Sequence, residues 1–495
     1  MAHVLAREEH NLRKDHIITE VKKQAWLSVP IIVSGVLEKL IQIISLAFVG
    51  HLGELPLSAA SMATSISGIT GISILVGMGN ALDTLCGQAY GAKEYHLLGI
   101  YLQKAMLVIT IVCMPLAFVW AFAGEILHAI GQNKEISMAA QLYARCMIPV
   151  LFTYGLLQCY YRFLQAQNIA FPMMLTSGFT ILVHIFTCWL LIIKWKIGYI
   201  GAAIANSLSY CLSFVLIASY VQLSSRFKHT WTGFSKQALH DFSSLLRLVI
   251  PSASMSCLEY WSFEAIVLMS DFLPNPKLET SVLAICLNTA IITYMIPIGI
   301  GASLSTHVSN ELGAGNPRNA HSAIYVAGTI AIFEGLIVGS TLFLARNDWG
   351  KIFSNKLEVI NYIARVVPLL ALSHLIDAFQ CVLLGIVRGC GWQKFGVVVN
   401  IGAFYIVGLP FAALFAFYWH LKAKGLWLGI ICGLSTQIFL LFIITLFTNW
   451  EKQAKKAVDR VNKSTVAVGV VTTTNNNPQA DSSLREEVQA SDDCH

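Results

Sequence analysis

Two glutamates, Glu259 and Glu264, stand in the stretch PSASMSCLEYWSFE inside a long apolar run. A carboxylate can carry a proton, accept hydrogen bonds or hold an organic cation. Its charged form is disfavoured in a low-dielectric medium. A charge at the centre of a bilayer costs about 2.5–3.5 kcal/mol on insertion scales, so each one in an apolar run is a functional candidate. The others are Glu38, Lys39, Asp83, Glu334 and Asp377, with Lys104 and Asp271 nearer the ends of their runs. On a helix, Glu259 and Glu264 point about 140° apart. Tyr260 and Glu264 share a face, so they can line one pocket while Glu259 looks elsewhere. Pro251 precedes both and can loosen the helix, leaving carbonyls for a polar site. His374 and Asp377 also share a face, as a proton relay or as a hydrogen-bonded packing pair. Asn288, Tyr294, Asn400 and Tyr405 add neutral polar groups. Asn400 equally suits a hydrogen bond between helices. Trp261, Phe263 and Tyr294 offer π faces for a planar cation, or simple packing.

The elements that must position these groups are membrane helices. Of 495 residues, 56% are hydrophobic and 12% charged, and the mean hydropathy is +0.65. Soluble domains average about 25% charged residues. A span needs about 20 mostly apolar residues. Twelve runs qualify, near 25–50, 57–86, 98–123, 140–163, 172–194, 199–222, 244–272, 279–307, 320–345, 357–385, 393–418 and 424–449. The expected organisation is a cytosolic tail (1–24), an N-terminal bundle (25–222), a cytosolic linker (223–243), a C-terminal bundle (244–449) and a disordered cytosolic tail (450–495). That last segment is too polar to fold alone. The N-terminus is basic, its first run is a signal-anchor without a cleavage site, and the larger share of Lys and Arg falls inside when both termini are cytosolic. A net charge of +6 gives no reason to expect nucleic acid. Twelve cysteines are scattered singly, which suits small buried thiols. No metal-ligand or cofactor-binding motif is present, and no nucleophile–base or HExxH arrangement that would make an intramembrane enzyme. Gly425, Gly429 and Gly433 form overlapping GxxxG patterns for close helix packing.

The halves repeat at an offset of about 221. PIIVSGVLE (30–38) lies over PSASMSCLE (251–259), pairing Pro30 with Pro251 and Glu38 with Glu259. GMGNALDTLCGQAYGA (77–92) lies over GIGASLSTHVSNELGA (299–314), and Pro149 meets Pro368. Six helices per half make the repeats parallel, a transporter design with a site between or within the bundles.

The run FVGHLGELPLSAASMA with ALDTLCGQAYGAK, then LEYWSFE, YMIPIGIGASLSTHVSNELGAG and SHLIDAFQCVLLGIVRGCGWQKFG, resembles the multidrug and toxic compound extrusion (MATE) family, most closely its plant members. The likeness covers roughly residues 25 to 450. It implies an all-α polytopic membrane protein, with 12 transmembrane helices in two pseudo-symmetric six-helix lobes forming a V around a cleft. It implies efflux of small organic cations, drugs or metabolites by a monomer in the plasma or vacuolar membrane. Proton antiport is usual in eukaryotic members, while some prokaryotic ones use sodium. The alternatives are a lipid-linked or polysaccharide flippase of the wider superfamily, whose members usually have a more cationic cavity and often extra helices, or a sodium-coupled drug exporter. Both glutamate positions, Glu259 and Glu264, are linked to transport in the family. Asn288 stands where some animal members carry a glutamate.

The repeat ranks the acids. Glu264 falls opposite Ile43, and Asp377 opposite Gln158 by the proline match, so these two acids of the C-terminal half have no echo, unlike Glu259. Glu264 and Asp377 are therefore the leading proton carriers, with Glu259 retained. Tyr260, Trp261, Asn288, Tyr294, His374 and Asn400 are the expected pocket. Glu38 shares a structural role with Glu259. Asp83 is a partner for Lys39 or a helix-end polar residue, and Glu334 has no assignment.

Overall fold

The computed structural model describes the backbone of residues 2–353 and 356–476, and the side chains of 17–275, 278–353 and 356–468. The described chain is helical. The first half contains α1 (Ala2–Gly50), α2 (Glu54–Gly91), α3 (Tyr95–Ala121), α4 (Lys134–Ala166), α5 (Phe171–Lys194) and α6 (Ile200–Leu223). The second contains α7 (Ser243–Ser270), α8 (Pro276–Gly313), α9 (Pro317–Trp349), α10 (Leu357–Cys390), α11 (Gln393–Tyr418) and α12 (Ala423–Leu446). A further helix, α13, covers Trp450–Asn476. Eleven of the described helices are long and apolar enough to cross a bilayer. Among α1–α12 the one below that standard is α7. Its 28 residues exceed a bilayer's thickness, but Ser252, Ser254, Ser256, Glu259, Ser262 and Glu264 dilute its apolarity. Pro251 sits inside α7, which runs through it unbroken.

One core gathers around Leu82, Leu98, Leu157 and Phe163 of the first half and takes in Leu245, Leu248, Val249 and Ala302 of the second; the second half has two further clusters, around Leu304, Val308, Ile386 and Val387 and around Ile363, Leu370, Trp427 and Leu434. The lobes meet where α2 crosses α7 and α8, and where α1 crosses α8. Glycine makes this crossing possible. A Cβ on Gly91 would collide with the Asn310 carbonyl, and one on Gly313 with the Gln88 carbonyl. The contact is reciprocal, as the matched pair Gly91/Gly313 requires. A Cβ on Gly77 would lie 2.6 Å from the Ala253 Cα. Polar groups close the same end. Gln88 donates to the Gly389 carbonyl at 3.1 Å, Asn310 to the Ala166 carbonyl at 3.1 Å, and Thr84 to the Arg388 carbonyl.

The segments flanking and joining the two bundles pack against them. Residues 2–24 continue α1, and Glu20 and Gln24 are buried against the C-lobe. The linker carries short 3₁₀ turns and is pinned to α3, where Gln103 and Lys104 donate to the Gly233 and Asp241 carbonyls. Lys104 is thus a buried tether. Residues 450–476, expected to be disordered, form α13, because Ala454, Ala457, Val461 and Val468 bury an apolar stripe against the bundle. The remaining tail, 477–495, lies outside the described residues. The described cysteines are free thiols, most of them buried.

Gly313→Ala should destabilise the protein by about 1–3 kcal/mol, since backbone cannot retreat easily from a new methyl. Gly328→Ala, where nothing lies within 4 Å of a new Cβ, should leave the thermal unfolding midpoint in detergent unchanged. Equal midpoints for the two variants would show that the crossing is loose.

Candidate functional site

Glu259 and Glu264 leave α7 in different directions, as the helical angle requires. Glu259 points into the C-lobe. It accepts hydrogen bonds from Tyr294 of α8 at 3.1 Å and from the Gln380 amide of α10 at 2.7 Å. Gln380 also donates to Gln437 of α12 at 2.9 Å. Gln437 donates to Asn400 of α11 at 2.7 Å, and Asn400 returns to α7 at the Met255 carbonyl, 2.9 Å away. Tyr405 donates to the Leu258 carbonyl at 3.1 Å. A continuous polar chain therefore joins α7, α8, α10, α11 and α12. Asp377, one helical turn before Cys381 on α10, lies close enough to Glu259 and Glu334 for their charges to act on it.

Glu264 points into the seam between the lobes. Its carboxylate accepts from Ser65 of α2 at 3.1 Å and from the Tyr260 hydroxyl. Tyr260 packs against Gly68, where a Cβ would collide with its hydroxyl. The Trp261 indole donates to the Ile69 carbonyl at 3.0 Å. Gly68–Ile72 is a π-helical segment of α2, and such bulges loosen the i→i−4 ladder and occur often at functional sites. Tyr260 and Trp261 remain 37% and 41% exposed, so parts of their rings are open to a ligand. Asn288 is exposed on α8, away from the Glu259 chain.

Other expected residues fall elsewhere. His374 pairs with Glu334 at 2.9 Å rather than turning to Asp377. Glu334, which had no sequence assignment, thus gains a partner on the neighbouring helix. Asp83 faces Arg162 at 3.6 Å, not Lys39. Glu38 is hydrogen-bonded to Tyr161 inside the N-lobe. Packing also resets the repeat. Gly79 lies against Gln158 and its counterpart Gly301 against Cys381. Gln158 therefore matches Cys381, and Asp377, four residues earlier, matches Tyr154. The acid still has no acidic echo.

Sequence reasoning passed over Gln380 and Gln437, both wholly buried. A glutamine inside AFQCVLLG or STQIFLLF was the available signal. It also passed over Glu279, buried at the far end of α8, which accepts from Tyr362 at 2.5 Å and from the Ala423 amide at 3.1 Å. Among the described residues, no cluster suited to a metal ion is present.

Two repeated helix bundles, in contact through α1, α2, α7 and α8 and with Glu264 at their seam, form the architecture of a membrane transporter. The MatE family model matches residues 30–190 and 251–414, one match per lobe, beginning at the paired prolines. The chain belongs to the MATE family of multidrug and toxic compound extrusion transporters. It is 53% identical to Protein DETOXIFICATION 16 of Arabidopsis thaliana over 91% of this chain and 93% of that one. It is 51% identical to Protein DETOXIFICATION 17 of the same plant, over 90% and 94%. The crystal structure of the eukaryotic MATE transporter AtDTX14 superposes with a TM-score of 0.87 at 43% identity, covering 90% of this chain and all of that one. An outward-facing multidrug resistance MATE transporter shares the fold at 17% identity, with a TM-score of 0.76 over 90% and 97% of the two chains.

Removing Gln380 should leave Glu259 and Gln437 short of a buried partner, at about 1–3 kcal/mol. Gln380→Leu and Gln437→Leu should be non-additive by about 0.5–3 kcal/mol in a double-mutant cycle of unfolding. Strict additivity would mean that the chain is not a unit.

Proposed function

We propose that the protein exports small amphipathic organic cations, xenobiotics or metabolites in exchange for protons, by alternating access of one cleft to the two sides of the membrane. The observation that carries this reading is the place of Glu264. It stands in the seam between the lobes, held by Ser65 of the opposite lobe and flanked by Tyr260 and Trp261. A carboxylate there can bind a proton or a cation but not both well, so loading one releases the other. The partly exposed Tyr260 and Trp261 rings supply cation–π contact. Asp377 is the second carrier, and Glu259 adjusts it through their mutual repulsion. Tyr294, Asn400 and His374 shape the polar interior around them, whereas Asn288 stands on the exposed face of α8. One pH unit supplies about 1.36 kcal/mol per proton, and 100 mV adds roughly 2.3 kcal/mol. The protein acts as a monomer in the plasma or vacuolar membrane, with both termini in the cytosol.

The test uses proteoliposomes loaded with a fluorescent organic cation under an imposed pH gradient, with and without sodium. The wild type should exchange without sodium. Glu264→Gln and Asp377→Asn should each lower the rate by about tenfold or more, a loss of about 1.4 kcal/mol of driving force or transition-state stabilisation. Sodium dependence, or wild-type exchange in both variants, would sink the mechanism.

A further inference from the structure

The helix α13 touches both lobes, and its two halves belong to different cores. Ala454 and Ala457 pack with the C-lobe residues Ala320, Ala323 and Trp392, whereas Val461 and Val468 pack with the N-lobe core. The polar contacts divide in the same way. On the C-lobe side, the Trp392 indole donates to Gln453 at 3.2 Å, and Trp450 lies against Trp392 and His321. On the N-lobe side, Arg460 donates to Gln88 at 2.6 Å, and Tyr101 is hydrogen-bonded to Ser464. Gln88 is itself part of the lobe–lobe contact, through the Gly389 carbonyl. Only Phe447, Thr448 and Asn449 separate α12 from α13, so the first half is tied to the C-lobe. The seat on the N-lobe is less complete. A small cavity of about 20 Å³ remains between Ser464 and Val468 on one side and Leu97, Tyr101 and His240 on the other.

We infer that α13 is a strap across the closed end of the cleft: its second half, Arg460 to Val468, must leave the N-lobe before this end can open, and its docking sets how readily the end opens. The geometry demands it, because a rigid helix fixed to both cores cannot follow lobes that separate beneath it. The inference rests on the alternating-access reading given above. Its first measurement therefore uses neither substrate nor pH gradient, so that failure of proton coupling does not affect it.

Cys390 is a native reporter. It is 4% exposed, at the end of α10, near enough to Arg460 to feel its charge. Cys113 is wholly buried within the N-lobe and serves as the control. The full chain in membranes is treated with N-ethylmaleimide, and labelling at each cysteine is followed by mass spectrometry. Val461→Asp should raise the rate at Cys390 by about tenfold, the shift expected for losing about 1.4 kcal/mol of docking, with Cys113 still protected. Tyr101→Phe, which removes only the Ser464 contact, should raise it less. The exchange rate in proteoliposomes should then depart from the wild-type value in both variants. Unchanged Cys390 labelling overturns the strap, and so does raised labelling at a wild-type exchange rate. Should Val461→Asp also expose Cys113, Tyr101→Phe decides by the same two outcomes.

Discussion

A bilayer holds no water to pair with a buried amide or carboxylate, and the C-lobe answers that constraint around Glu259 with one chain of hydrogen bonds, in which Gln380 Oε1 is left without a partner. From the Met255 carbonyl through Asn400, Gln437 and Gln380 to Glu259 and Tyr294, each link is 2.7–3.1 Å long. The gain from each bond is modest, but leaving any member unpaired costs about 1–3 kcal/mol. The chain therefore holds its helices in one arrangement. In the proposed cycle a lobe tied together this way moves as a body, and motion is left to the surfaces between lobes.

That division gives the two glutamates of α7 different roles. Glu259 keeps the same neighbours whenever the lobe moves as a unit, because Tyr294 and Gln380 travel with it. Glu264 has a neighbour, Ser65, on the other lobe. In the proposed cycle only a group at the seam changes its surroundings when the lobes rotate. A change of surroundings is what turns proton binding into work, since a carboxyl with constant neighbours has a constant affinity. Asp377 lies between these cases. It is in the rigid lobe, on the same helix as His374 and Gln380, which hold Glu334 and Glu259.

The sequence made the frame readable because its devices are local. Prolines and glycines recur at a fixed offset, and apolar runs announce helices by length. The divergence of Glu259 and Glu264 followed from helical geometry alone. Pairings across helices were not readable. Nothing in the local spacing of His374 favours Glu334, 40 positions away, over Asp377, 3 away. For Asp83 the sequence offers Lys39 or a helix-end setting, whereas Arg162 reaches it. Gln380 and Gln437 carry no charge and so raised no alarm in an apolar run, yet a buried amide is nearly as demanding as a buried acid. In α13 the stripe Ala454, Ala457, Val461 and Val468 has helical spacing, but small apolar residues among lysines lowered the average below any threshold. Composition measures the segment, whereas folding depends on the face it presents to its neighbours.

The closed end shows how a membrane protein can hold a contact without locking it. Lipid is as apolar as a leucine side chain, so burying apolar surface between spanning helices yields little drive to associate. The Gly91/Gly313 crossing works instead by shape: two backbones come close because neither residue has a side chain, and Gln88 and Asn310 add single hydrogen bonds to carbonyls. Such a surface parts without exposing a greasy patch or stranding a charge. The strap differs in kind. It lies beyond the spanning segments, where water restores the hydrophobic drive, so Val461 and Val468 gain by staying docked. A seam that is indifferent to separation and a strap that opposes it together place control of this end in α13, beyond the apolar spans and apart from Glu264.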